Sequence, residues 1–358
     1  MAVFFSLVCV NPCSFVAKNS SQLLTSLLKE VSRSFYLTMR ILPGAIRPQI
    51  SLAYLLARTT DTIADTEIIL PEHRLEALEY LRARILGISD APLNFGELAR
   101  HQSSDSEKAL LHRCEDALAL FSQVSRDDQQ RIRKVLNTII GGQILDSRRF
   151  WGGNEKQIVA LQTEAELEDY TYRVAGCVGE FWTNICIAHQ FSNLKIPRDE
   201  YFSETSFEQL GIRFGKGLQL VNILRDLPRD LRMGRCYVPL DLLSEAGLTP
   251  PDLLSPASVP KFRAVYKKLL DVAEQHLAAG WEYTNRVPRS QVRVRLACAW
   301  PILIGIKTIF KLRQKNVLDP SQRVKISRVE VRNLILKSIA LYPFFPAWEA
   351  QFSSVGRG

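Results

Sequence analysis

The chain has 358 residues, 46% of them hydrophobic and 23% charged, with a formal net charge of +9. That apolar content supports a large core and excludes a chain disordered throughout. The basic residues are scattered in short doublets such as Arg148-Arg149 and Lys267-Lys268, with no basic-aromatic run, zinc-finger spacing or RNP-like motif, which excludes nucleic acid and favours anionic substrates or lipid headgroups.

Residues 1–19 read as an N-terminal extension. Its first 17 residues carry no charge, lack a basic n-region and are broken by Asn11-Pro12, so a signal peptide is not expected. From there the hydrophobic period is helical nearly everywhere, without convincing period-two alternation. It predicts helices over 20–38, 47–66, 72–87, 104–123, 126–151, 164–191, 205–232, 259–285, 289–315 and 328–341, with loops near 88–103, 152–162, 192–203 and 233–258. Capping-box starts at Ser104/Glu107, Thr163/Glu166 and Ser327/Glu330, and a weaker one at Ser125/Asp128, support these boundaries. No repeat of fixed period appears. The expected architecture is all-α: residues 20–341 as one helical domain around a central cavity, followed by an apolar, aromatic tail over 342–358.

The seven cysteines are odd in number and scattered, which indicates neither a disulfide framework nor a zinc site and fits a reducing cytoplasm. The uncharged run Leu296–Ile306 contains Pro301 and ends at Lys307, short of the roughly 20 residues a spanning helix needs. No transmembrane helix is predicted.

Two helical faces carry the chemistry. In the first, Tyr54, Arg58, Asp61 and Asp65 fall at i, i+4, i+7 and i+11 and share one face. Carboxylates four apart repel by about 0.2–0.5 kcal/mol on an isolated helix, and by more when desolvated. A buried pair therefore calls for a cation, and magnesium suits because it bridges carboxylates to phosphates. Arg58 can bind a diphosphate oxygen. A solvated acidic face gives the same spacing. The second face, Gly215, Gln219, Asn222, Asp226 and Asp230, adds a stripe of amide and carboxylate oxygens on another helix. Two such stripes facing each other can hold a multi-metal diphosphate cluster, with Asp61, Asp65, Asn222, Asp226 and Asp230 as ligands. Pro228 removes an amide donor and crowds the Leu224 carbonyl, so a kink or helix end is expected before Asp230.

These segments, in this order, resemble the squalene/phytoene synthase family over most of the chain. Ser32-Arg33-Ser34-Phe35 is similar to its opening SRSF segment, and Tyr54 to Asp65 to its first Asp motif. Val174–Gly179 resembles its VAGxVG helix. Gln219–Asp230 with Gly234–Pro239 resembles its second motif. The resemblance implies helices around a deep prenyl pocket and magnesium (or manganese) as cofactor. It implies joining of two farnesyl diphosphates through a cyclopropyl diphosphate, then hydride quenching by NADPH in squalene synthases. Ser32, Ser34, Phe35, Arg58, Gln219, Asn222 and Arg225 are the implied substrate contacts. Arg33, Arg58, Arg225 and Lys325 are the positions linked to NADPH. Phe35, Tyr36, Phe181 and Trp182 are candidate walls against water, or plain core. Ala175, Gly176 and Gly179 either clear space for an isoprenoid chain or allow close helix packing.

The sequence also departs from the family pattern. Arg173 stands where many members place a proton-transferring tyrosine directly before the VAG segment; Tyr172 is one residue earlier and Tyr170 three earlier. A one-residue step turns about 100° around a helix, so neither simply substitutes: as catalytic candidates, either a tyrosine such as Tyr172 reaches in from another angle, or Arg173 handles diphosphate and a released diphosphate takes the proton. Ser327 replaces a second basic residue of the segment containing Lys325. There is no Rossmann fingerprint, and Gly211–Lys216 is one residue short of a phosphate loop. Tyr342, Phe344, Phe345, Trp348 and Phe352 either form a peripheral bilayer contact or cover the core. The competing functions are a phytoene or dehydrosqualene synthase, a synthase that stops at presqualene diphosphate, and a non-catalytic assembly factor related to the family. Intact aspartates argue against the last.

Overall fold

The computed structural model describes residues 26–32, 35–66, 68–191 and 204–356. The helices are α1 Leu28–Ser32, α2 Phe35–Ile41, α3 Arg47–Ala64, α4 Pro71–Leu86, α5 Gly96–Arg100, α6 Asp105–His112, α7 Cys114–Gln123 and α8 Arg126–Arg149. They continue as α9 Glu164–Thr171, α10 Cys177–Cys186, α11 Glu204–Arg232, α12 Leu240–Glu245, α13 Val259–Arg286, α14 Val292–Gln314, α15 Arg328–Leu341 and α16 Phe345–Val355. The architecture is all-α, as the periodicity predicts. Among the described residues the one sheet is a two-residue parallel pair, β1 Val159–Ala160 on β2 Arg235–Cys236. The predicted 104–123 helix is two helices that break at Arg113.

Helix α11 is the axis of the fold, packed against α10 on one side and α13 on the other, with α14 beyond α13. One apolar cluster gathers α3, α4, α8 and α10 through residues such as Leu56, Leu81, Leu136 and Phe181. The other gathers α11, α13 and α14 through Leu224, Leu270, Leu277 and Leu303, and Phe214 of α11 packs against both. The α10–α11 seam is closed by small residues. A Cβ on Gly179 would stand 1.9 Å from the Gly211 carbonyl oxygen, and one on Gly215 would stand 2.1 Å from that of Ala175. The glycines therefore serve close helix approach and leave no space there for a prenyl chain.

Pro228 does not end α11, which runs on to Arg232. The Leu224 carbonyl, whose helical donor Pro228 lacks, accepts a hydrogen bond from Tyr266 Oη at 3.0 Å. A side chain from α13 thus supplies the missing partner, and Asp230 stays on the helix with Asp226. After α11, Gly234 adopts φ 76° with its α-carbon face against Gly153 and Asn154. A side chain there would be strained in conformation and in space. The turn brings Arg235 and Tyr237 back toward α8.

The predicted helix starts hold, with one change. Ser125 and Thr163 cap their helices and Ser327 with Glu330 forms a full capping box. At Ser104 no side-chain cap forms: its hydroxyl pairs with that of Ser106 at 2.7 Å, and the Glu107 side chain is taken by Arg58. The tail from 342 onward docks as α16. Trp348 is 1% exposed, stacks on Trp281 at 5.2 Å and donates to Asn285 Oδ1 at 2.7 Å. Phe352 packs on Trp281 as well. These aromatics cover the core. The described cysteines, Cys114, Cys177, Cys186, Cys236 and Cys298, are buried and free. The extension 1–19, with Cys9 and Cys13, lies outside the described residues. Among those that are described, no helix is long and apolar enough to cross a membrane.

Candidate active site

Helix α3 carries the first aspartate face. Asp61 accepts a 2.7 Å hydrogen bond from Gln143 Nε2 of α8. Its carboxyl is pushed up to about 6, first by burial and then by Asp65, against the pull of Arg58 and Gln143. Asp65 is exposed at the helix C-terminus, where its backbone N–H donates to the Asp61 carbonyl at 2.8 Å. Arg58 donates to Glu107 of α6 at 2.5 Å, while its Nε is buried without a partner. Tyr54 Oη reaches the Val31 carbonyl at 3.4 Å.

Helix α11 carries the second. Arg225 grips Asp226 with two hydrogen bonds, 2.9 Å from Nε and 2.6 Å from Nη2. Burial and the Asp226 charge push Asp230 up to about 7, against the pull of Arg229 and Arg235. Asn222 is exposed and Gln219 half-buried on the same helix.

A third carboxylate, absent from the sequence reading, joins the two. Asp146 of α8 accepts a 2.9 Å hydrogen bond from Tyr237 Oη. Burial pushes its carboxyl up to about 6, with Asp65 adding to the rise and Tyr237, Arg235 and Arg149 opposing it. Asp146 in turn raises Asp230. Asp146 therefore feels one aspartate of each face. Tyr170 stacks on Tyr237 at 4.7 Å, and burial, Asp146 and Asp230 raise its hydroxyl. Of Tyr170 and Tyr172, it is Tyr170 that lies near these carboxylates, stacked on Tyr237. The Tyr172 hydroxyl donates to Glu180 at 2.9 Å instead, and Arg173 Nε is held by both oxygens of Asp169 at 2.8 and 2.9 Å.

Three carboxyls with raised affinity for protons are sites where positive charge is missing. The Asp146 Oδ1 and Gln143 Oε1 acceptors are buried without partners, and so is the Arg149 Nη1 donor. Orphaned acceptors beside aspartates fit a divalent cation, and orphaned arginine donors fit diphosphate oxygens. Among the described residues no three His, Cys, Asp or Glu side chains form a ready-made cage. Magnesium needs none, since it keeps waters and takes its remaining ligands from substrate phosphates.

Beyond Asn222 and Asp226 a groove of about 630 Å³ opens between α11, α14 and the segment 323–335. Arg225, Arg323 and Lys325 give it positive charge, and Leu37, Ile304 and Ile335 give it an apolar wall. Arg58 is not part of its lining. Ser327, the position that differs from the family pattern, caps α15. Ser32 is buried and bonded to the Leu28 carbonyl. Arg33 and Ser34 lie outside the described residues, and Phe35 begins α2. Phe181 is buried core with Trp182 packed against that cluster.

The family model for squalene/phytoene synthase matches residues 28–330. The chain belongs to the squalene/phytoene synthase family. It is accordingly an enzyme, a prenyltransferase of the kind that joins two prenyl diphosphates head to head. The presqualene diphosphate synthase of Zymomonas mobilis is 28% identical over 331 residues, 92% of this chain and 96% of that protein. The bifunctional lycopene cyclase/phytoene synthase of Phaeosphaeria nodorum is 28% identical over 254 residues, 69% of this chain and 38% of that protein. This chain thus spans well under half of that second relative. A dehydrosqualene synthase crystal structure with bound ligand superposes with a TM-score of 0.65 at 19% identity, over 93% of this chain and 99% of that one, which is a likeness of fold.

Proposed function

We propose that the protein condenses two farnesyl diphosphates head to head through presqualene diphosphate and reduces the product to squalene with NADPH. The observation that carries the condensation is the pair of aspartate faces on α3 and α11, coupled electrostatically through Asp146. Asp61 and Asp65 would hold magnesium on one side, and Asn222, Asp226 and Asp230 on the other. Bound there, magnesium supplies positive charge where the departing diphosphate becomes negative. Gln143 fixes the Asp61 carboxylate, and Tyr237 fixes that of Asp146. Arg58 and Arg149 each keep a buried donor unpaired and can accept the weight of diphosphate oxygens. Tyr170 and Tyr237 place hydroxyls beside Asp146 and Asp230, within the region where a proton must be carried away.

The reductive half is supported by the groove next to Asp226. Arg225, Arg323 and Lys325 could bind the phosphates of a dinucleotide, whose contribution would be a hydride. Arg323 offers a second basic group in a segment where Ser327 has none. A second reading ends at presqualene diphosphate. It is favoured by the near full-length match to the Zymomonas mobilis enzyme and by the capping role of Ser327.

The deciding experiment is incubation with farnesyl diphosphate and magnesium, with and without NADPH, followed by mass spectrometry of the extract. Squalene that forms only with NADPH supports the first reading. Presqualene diphosphate that persists with NADPH present supports the second. Dehydrosqualene or hydroxysqualene would assign a non-reducing member.

A further inference from the structure

Helix α15 lies on the surface, yet it is apolar on two sides. Its inner side sets Leu334 and Ile335 against the core and tucks Ser338 beneath, where Ser338 Oγ accepts from Trp300 Nε1 at 2.9 Å. Its outer side leaves Val329 57%, Leu336 57% and Ile339 47% exposed, at helical spacing. Phe344, 63% exposed, lies just past the helix end, and Phe345 follows under the guanidinium of Arg289 at 5.0 Å. A helix apolar on both sides normally has cover on both. Contiguous apolar surface rimmed by polar groups marks a contact site.

The charges around the strip indicate what covers it. From Arg323 to Leu341 there are five basic residues, Arg323, Lys325, Arg328, Arg332 and Lys337, and one acidic residue, Glu330. Glu330 is neutralised by Lys311 at 2.8 Å, leaving a surface of basic side chains among exposed aliphatics. That combination matches an anionic bilayer, in which apolar groups enter the acyl boundary while Lys and Arg meet headgroups. The wall is also shared with the site: Val331 and Ile335 of α15 line the groove that reaches Asn222 and Asp226.

We infer that α15 and the Phe344–Phe345 corner dock the enzyme on an anionic membrane, with the apolar groove opening beside the lipid so that a hydrocarbon product leaves into it. The surface keeps only Phe344 and Phe345 of the tail aromatics, since Trp348 and Phe352 pack on the core, and α15 supplies the rest of the contact. The purpose of the contact rests on the proposed apolar product; the contact itself does not.

The test is flotation of the full chain with vesicles of phosphatidylcholine alone or with roughly 30 mol% phosphatidylglycerol, the anionic mixture being expected to bind about tenfold more tightly or better. Leu336→Asp with Ile339→Asp, and separately Arg332→Glu with Lys337→Glu, should each lower binding about tenfold while the circular dichroism and melting temperature stay at wild-type values. Wild-type protein that fails to float, or binding unchanged in both variants, would overturn the inference. So would a wild-type dimer that Leu336→Asp splits and that ignores vesicles, because a second copy would then cover the strip. Vesicle binding by a protein that forms no product would leave this inference standing and refute the reaction instead.

Discussion

Tyr237 donates its hydroxyl to Asp146 at 2.9 Å, and through that contact the turn after α11 is tied to the helix that stands between the two aspartate faces. The bond favours the charged carboxylate, against the burial that raises it. Tyr237 is placed by Gly234, and Asp146 by its position one turn beyond Gln143 on α8. The second Asp motif and the segment that follows it therefore work on one spot.

Removing this bond has a defined consequence. In Tyr237→Phe the Asp146 carboxyl should rise by about one pH unit, the worth of one hydrogen bond to a charged group, so the acidic limb of the pH–rate profile moves to higher pH and kcat/KM falls about tenfold at pH 5 and about twofold at pH 7. Asp146→Asn should cost more and should flatten that limb. A Tyr237→Phe profile that overlays the wild type would exclude the role.

Metal should reverse the pH dependence of stability. Asp61, Asp146 and Asp230 titrate near 6, 6 and 7 in the fold, above the ordinary carboxylate range. The unfolded chain binds fewer protons between about pH 4 and 7, so the stability these groups contribute is complete below about pH 4 and is lost as pH rises through their folded values. Differential scanning fluorimetry in EDTA should show the melting temperature falling over that window. Magnesium with diphosphate should restore it at pH 7.5 and do little at pH 5, while Asp61→Asn should raise the metal-free melting temperature at pH 7.5.

The Pro228 bypass can be tested by a double-mutant cycle. Tyr266→Phe leaves the Leu224 carbonyl buried without its donor and should cost about 1–3 kcal/mol in urea unfolding. Pro228→Ala restores a backbone N–H four residues on, so the same Tyr266→Phe change made in that background should cost less. Equal costs in both backgrounds would show that the two residues do not share the carbonyl.

Gly215→Ala probes the α10–α11 seam. Its new methyl would sit 2.1 Å from the Ala175 carbonyl oxygen, so the helices must part, at a cost of about 3 kcal/mol or more. A melting temperature within a degree or two of wild type would refute close packing here.

The long helices were legible because each shows a 3.6-residue stripe over several turns, as in α8, α11 and α13. Helices α5 and α12, of five and six residues, are too short to display one. Helix α16 is masked in sequence by Pro343 and Pro346 and by aromatics that read equally well as a bilayer contact. The two aspartate faces were legible because a pair four apart, Asp61/Asp65 or Asp226/Asp230, is a pattern in itself. Asp146 has no such companion, and its role appears only when Tyr237, Asp65 and Asp230 converge on it. The tyrosine question had a physical cause as well. Residues Tyr172–Gly176 form a π-helical turn, which inserts one residue and rotates the upstream face relative to Gly179. Counting at 100° per residue across that turn misplaces Tyr170, which stacks on Tyr237 beside the carboxylates. Glu107 was legible as a helix-start residue, but its partner Arg58 lies 49 positions away.

The two-faced magnesium site is tested by formation of a C30 product from farnesyl diphosphate and magnesium by the wild type, Asp61→Asn and Asp226→Asn, with circular dichroism recorded for each. C30 product is expected from the wild type, with a loss of about a thousandfold or more in each variant at unchanged helical content, because charge stabilisation of a leaving group is removed. Turnover retained in both variants would contradict the two-faced magnesium site. A folded wild type that forms no C30 product from farnesyl diphosphate would contradict the proposed reaction.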